Sequence, residues 1–138
     1  GMNPRSEDRP RSGKTCIAVE YRAPDGFGGV VWQDPADDWG DQPGGFNLSG
    51  ARTLSFWARG QRGGERVEFK FGVLGPEKAH PDSAQGGIVV ELTDQWRQYD
   101  IPLDGKNLSR IKTGFCWVVA GQGRPVSFFL DDIAFVAR

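Results

Sequence analysis

From residue 15 onward, apolar and polar residues alternate with the period of two that marks strands with one buried face. In T-C-I-A-V-E-Y-R (15–22), Ile17, Val19 and Tyr21 share one side, and Cys16, Ala18 and Glu20 the other. G-V-V-W-Q (29–33) is a second strand. In T-L-S-F-W-A-R-G (53–60), Leu54, Phe56 and Ala58 oppose Thr53, Ser55, Trp57 and Arg59. The clearest alternation is E-R-V-E-F-K-F-G-V-L (65–74), where Val67, Phe69, Phe71 and Val73 oppose Glu68 and Lys70. Further strands are expected over 88–92, 96–103, 113–120 and 126–136, the last reading V-S-F-F-L-D-D-I-A-F-V. No window sustains the i, i+3, i+4 spacing of a helix. About eight strands separated by turns predict an all-β fold, an antiparallel two-sheet sandwich. Ile17, Val19, Tyr21, Leu54, Phe56, Val67, Phe69, Phe71, Tyr99 and Ile101 are its expected core.

The segments between these strands are turns and two long polar loops. A-P-D-G-F-G-G (23–29) reads as a turn, and Q-R-G-G-E (61–65) as a hairpin that would set 53–60 beside 65–74. The loop 34–50 carries Asp34, Asp37, Asp38, Asp41 and a lone Trp39; the second loop spans 75–87. Residues 1–14 are polar, with Pro4, Pro10 and Gly13, and read as a tag remnant and loop or tail ahead of one domain over 15–138. The composition agrees: 20 Gly and 9 Pro in 138 residues suit many turns. Seventeen basic against eighteen acidic residues, net charge −1, give no electrostatic footprint for nucleic acid. No apolar run reaches the length of a membrane-spanning helix.

Two places carry a question of chemistry. In the last strand Asp131 and Asp132 are neighbours, so one should face inward unless a bulge intervenes. An inward carboxylate needs a metal ion, a basic side chain or backbone N–H groups. Cys16 and Cys116 permit one disulfide or two unpaired thiols.

The ordered set L-S-F-W-A-R-G, V-E-F-K-F-G, L-T-D-Q-W-R-Q-Y-D-I-P-L, G-F-C-W-V and F-F-L-D-D-I resembles β-jelly-roll carbohydrate-binding modules, the galactose-binding-like domains found beside bacterial glycoside hydrolases. The resemblance covers about residues 15–136. It implies a jelly roll, a polysaccharide or oligosaccharide partner, a linked glycoside hydrolase domain and a secreted or periplasmic setting. It also implies a structural calcium ion held by Asp132, with Asp131 as second choice and Glu7 and Asp8 as amino-terminal candidates. The additional first strand of such modules is expected to be missing or very short here. The implied topology sets strand 15–22 beside strand 113–120, with Cys16 and Cys116 as cross-strand neighbours.

Catalytic constellations are not in evidence. His80 is the single histidine and lies in a polar loop, no carboxylate pair is marked out, and no phosphate-binding glycine loop or Cys-x-x-Cys occurs. Sugar binding asks instead for aromatic faces to stack on pyranose rings and polar side chains for the hydroxyls. Trp57 and Arg59, with Glu68 and Lys70 on the neighbouring strand, form one expected face; the rival is that the 75–87 loop covers Trp57. Trp39 is the loop candidate. Trp32 fits either a site or the core, and Trp96 and Trp117 are expected in the core. The expectation is a non-catalytic carbohydrate-binding module. The alternative is a structural or protein-interaction jelly-roll domain of a larger exported protein, with no glycan site.

Overall fold

The computed structural model describes residues 1–22 and 26–137. The turn expected over 23–29 therefore lies partly outside the described residues. Nine strands follow in order: β1 Met2–Ser6, β2 Cys16–Tyr21, β3 Phe27–Gln33, β4 Thr53–Gly60, β5 Arg66–Phe71, β6 Gly86–Glu91, β7 Arg97–Pro102, β8 Thr113–Ala120 and β9 Val126–Val136. They make two antiparallel sheets, β1-β2-β9-β4-β7 and β3-β8-β5-β6. Every strand read from alternation is present, and the two-sheet sandwich is the observed fold.

The apolar faces of both sheets meet in one core. Leu54, Phe56 and Ala58 of β4 pack with Val67, Phe69 and Phe71 of β5, with Phe115, Trp117 and Val119 of β8, and with Phe128 and Leu130 of β9. Phe56 is its hub, with ring centroids 4.6 Å from Phe69, 5.3 Å from Phe115 and 5.8 Å from Tyr99. Burying each such ring contributes about 1.5–3 kcal/mol, so these side chains fix which face of each strand turns inward.

Three expectations are corrected. Residues 2–6, read as tail, form an edge strand paired with β2, Met2 opposite Val19 and Asn3 opposite Ala18. An edge strand exposed on both sides needs only backbone pairing, so M-N-P-R-S has no alternation to read, and Pro4 is tolerated there. Strands β4 and β5 are not sheet neighbours: β4 pairs with β7 and β9, and β5 with β6 and β8. Two strands with one apolar face each can pack face to face as readily as side by side, and the segment 61–65 here carries the chain between sheets. For the same reason Cys16 and Cys116 lie in different sheets; both are buried free thiols.

In β9 the register against β4 shifts between Ser55 and Trp57, and Asp132 adopts φ 51°. This bulge reverses the phase: Phe128 and Leu130 face the core before it, Ile133 and Phe135 after it. Neither aspartate points inward.

Candidate functional site

The expected Trp57–Arg59–Glu68–Lys70 face is divided by the topology. Trp57 and Arg59 stand on the outer face of the five-stranded sheet. Cross-strand rows there read Asp131, Trp57, Gln98 and Ala18, Phe129, Arg59. Glu68 and Lys70 stand on the outer face of the other sheet, in the rows Gly29, Val118, Glu68, Val89 and Val31, Cys116, Lys70, Gly87. The width of the sandwich separates the two pairs.

The Trp57 face is covered by the chain itself. The loop from β1 to β2, residues 7–15, lies across it. Arg11 stacks on Trp57 with its guanidinium carbon 3.9 Å from the ring centre. Arg59, 1% exposed, sits 3.7 Å from the Phe129 ring centre and 5.2 Å from that of Trp96. Its Nη2 donates to the Asp8 carbonyl at 2.7 Å, and Trp96 Nε1 donates to the Arg9 carbonyl at 2.7 Å. Burial, then the charge of Arg9, pull the Arg59 pKa downward. Trp96, expected in the core, is instead a half-buried part of this outer face; its partner is a cation, not the apolar interior. The 75–87 loop does not cover Trp57: His80 N–H donates to the Gly40 carbonyl and Asp82 accepts from Leu74, so that loop packs elsewhere.

The aspartates of β9 serve the same cover. Asp131 Oδ2 accepts the N–H groups of Arg11 at 2.9 Å and Ser12 at 3.2 Å, and both Asp132 oxygens accept from Ser12 Oγ. A calcium ion needs six to eight oxygens around it. The atoms directed at Asp131 and Asp132 are hydrogen-bond donors, and the Asp8 oxygens face Arg59. This donor shell does not fit a calcium ion, and among the described residues no three His, Cys, Asp or Glu side chains gather to hold a metal.

A different region presents aromatic rings to solvent. Trp39 is 57% exposed, Phe46 57% and Trp32 36%. Trp32 packs at 5.7 Å from Phe115, and the two line a groove of about 470 Å³ with Phe46, Leu48, Ile133 and Phe135. The strands supply its walls from both sheets. The loop carrying Trp39 is fixed from beneath. Asp38 Oδ1 accepts the N–H groups of Gly40, Asp41 and Gln42, and the Gln33 side chain both donates to and accepts from the Asp38 backbone. Lys112, 1% exposed, pairs with the Asp38 carboxylate and donates to the carbonyls of Gln42 and His80. The hydrogen bond from Lys112 is the chief reason the Asp38 pKa is lowered. Asp82 ties its own loop to the start of β8, accepting from the N–H groups of Leu74, Lys112 and Thr113 and from the Thr113 hydroxyl.

Of the expected site residues, the structure exposes Trp32 and Trp39, leaves Trp57 and Arg59 beneath the β1–β2 loop, and sets Glu68 and Lys70 on the other sheet. Phe46 is exposed as well, and an aromatic ring in a polar loop is the same signal that marks Trp39. Lys112 gives no comparable signal, because a lysine in sequence does not announce its burial.

No family model matches the chain, and no curated protein matches it. Solved structures do. A family 30 carbohydrate-binding module is similar with a TM-score of 0.61 at 18% identity, covering 90% of this chain and 76% of that one. The family 30 module of a cellulosomal cellulase of Clostridium thermocellum gives 0.63 at 18%, covering 96% and 79%. A family 11 module from Clostridium thermocellum, in complex with a β-1,3-1,4-mixed-linked tetrasaccharide, gives 0.62 at 15%, covering 99% and 81%. At such identities the likeness shows the fold, a two-sheet β-sandwich of the kind these modules adopt.

Proposed function

We propose that the domain is a non-catalytic carbohydrate-binding module that takes a polysaccharide or oligosaccharide on the exposed rings of Trp32, Trp39 and Phe46. One observation carries this reading: the exposed large aromatic side chains among the described residues all fall within residues 32–46. Such rings stack on the C–H faces of sugars, and a loop already fixed by Asp38 and Lys112 loses little entropy on binding. The fold likeness to sugar-binding modules, one of them holding a tetrasaccharide, supports it. Binding of this kind is stacking and hydrogen bonding, with no covalent step; His80 contributes a carbonyl to the Lys112 network. In this reading the domain holds a linked glycoside hydrolase or surface protein, exported from the cell, near its polysaccharide.

A second reading is a protein-contact domain without a glycan site. It is favoured by the groove beside Trp32, whose polar side chains Gln33 and Lys112 are already committed internally. Affinity electrophoresis through a panel of soluble polysaccharides separates the two. Retardation that is lost in Trp39→Ala and Phe46→Ala is expected. If no glycan in the panel, and none on an array at millimolar concentration, binds the domain, the sugar reading fails.

A further inference from the structure

The β1–β2 loop meets the closing strand β9 at a place that needs positive charge, and Arg59 is the charge found there. The loop offers the Asp8 carbonyl and carboxylate, 2.7 and 3.4 Å from Arg59 Nη2. The guanidinium is held in place by flat rings, Phe129 at 3.7 Å and Trp96 at 5.2 Å. Trp96 then takes the next carbonyl, that of Arg9. Further along the loop the polarity reverses: Asp131 receives the N–H groups of Arg11 and Ser12, which a metal ion at that carboxylate would repel. The loop is therefore gripped at its carbonyls by protein donors and at its N–H groups by protein acceptors.

We propose that Arg59 is a resident cation of this fold, standing where a bound metal ion could otherwise join the amino-terminal loop to the closing strand. The loop's closure over Trp57 and Trp96 is then independent of divalent metal. Arg59 is a positioning residue here, and its planar, permanently charged, ring-stacked head is what a lysine could not supply.

The test uses the whole domain and needs no glycan, so its outcome is separate from that of the sugar reading. Thermal melting is compared in calcium and in excess EDTA, and metal content is measured by mass spectrometry on the purified protein. Trypsin cleavage of the Arg11–Ser12 bond reports loop opening. The proposal expects one melting temperature in both solutions, no stoichiometric metal, and cleavage at least about tenfold faster in Arg59→Met, since hydrogen bonds to charged groups are worth more than the 1.4 kcal/mol of that factor. Arg59→Lys should fall between the two. Should Arg59→Met not fold, Ser12→Ala and Asp131→Asn are read in its place and should also speed cleavage, with no restoration by calcium. A melting temperature that rises with calcium and falls with EDTA overturns the proposal. So does a cleavage rate unchanged by these substitutions.

Discussion

Two regions of the molecule set tryptophan among polar side chains, and the chain has covered one of them. Around Trp57 and Trp96 the neighbours are Arg59, Asp131 and Gln98, the residue types a sugar site would use. Yet the β1–β2 loop already engages them: Arg59 and Trp96 hold its carbonyls, and Asp131 holds its N–H groups. Around Trp39 the polar groups fasten the loop to the body of the domain, through Asp38 and Lys112, with Asp82 holding Lys112 in turn. The first arrangement uses its chemistry to bind its own backbone. The second uses its chemistry to present rings outward. Residue type alone does not separate a site from a clamp; what the polar atoms are bonded to does.

The largest test of this contrast is at the support of the exposed aromatic stretch. Asp82 is buried and accepts four hydrogen bonds from Leu74, Lys112 and Thr113. Asp82→Ala leaves those donors unmet, including three backbone N–H groups, and should cost about 3 kcal/mol, read as a lowered urea midpoint. If the midpoint holds, the support beneath the Trp39 loop is not fastened as described, and the contrast breaks.

A crossover at the two tryptophans sharpens it. Trp57→Ala removes the stacking surface of Arg11 and should lower stability by about 1–2 kcal/mol while leaving polysaccharide retardation intact. Trp39→Ala should do the opposite: stability within about 0.5 kcal/mol of the parent, and a binding loss above about 1 kcal/mol. Loss of retardation in Trp57→Ala, with none in Trp39→Ala, would return the sugar to the covered face.

Much of this fold was legible because core strands must alternate. Phe69, Phe71 and Phe56 could face only one way, and the sandwich follows from pairing those faces. What alternation does not encode is which outward face stays open. Trp57 and Arg59 point outward as read, but residues 8–12, far away in sequence and without any pattern, lie on top of them. Edge strand β1 was illegible for a related reason: its stability comes from backbone pairing with β2, which leaves no mark in side-chain order. The Asp131–Asp132 pair was legible as a difficulty, and the bulge resolved it by turning both carboxylates out toward the loop.

Acidity probes the Lys112 support more gently than Asp82→Ala. Asp38 has its folded pKa below the ordinary carboxylate value, chiefly through Lys112. The unfolded chain therefore binds the proton more readily. The pair's contribution is full above about pH 4, the unfolded carboxylate range, and is lost as pH falls through the lower folded value. Melting temperature followed from pH 7 down to about pH 3 should drop more steeply in the parent than in Asp38→Asn, which has no such proton to take up. Equal slopes would mean that the pair is not formed in solution.

The smallest expected effect falls on the third surface, the outer face of β3-β8-β5-β6. Glu68 and Lys70 are half-buried there, flanked by Val89, Val118 and glycines, with no exposed tryptophan in their rows. On the reading argued above they take no part in stacking, and charges at such positions contribute little to stability. Glu68→Gln and Lys70→Met should leave polysaccharide retardation unchanged and shift stability by no more than about 0.5 kcal/mol. This null result has weight because it is the one most easily reversed: retardation lost with Lys70→Met and kept with Trp39→Ala would move the ligand onto the four-stranded sheet. The exposed aromatic stretch would then be left with the protein-contact role.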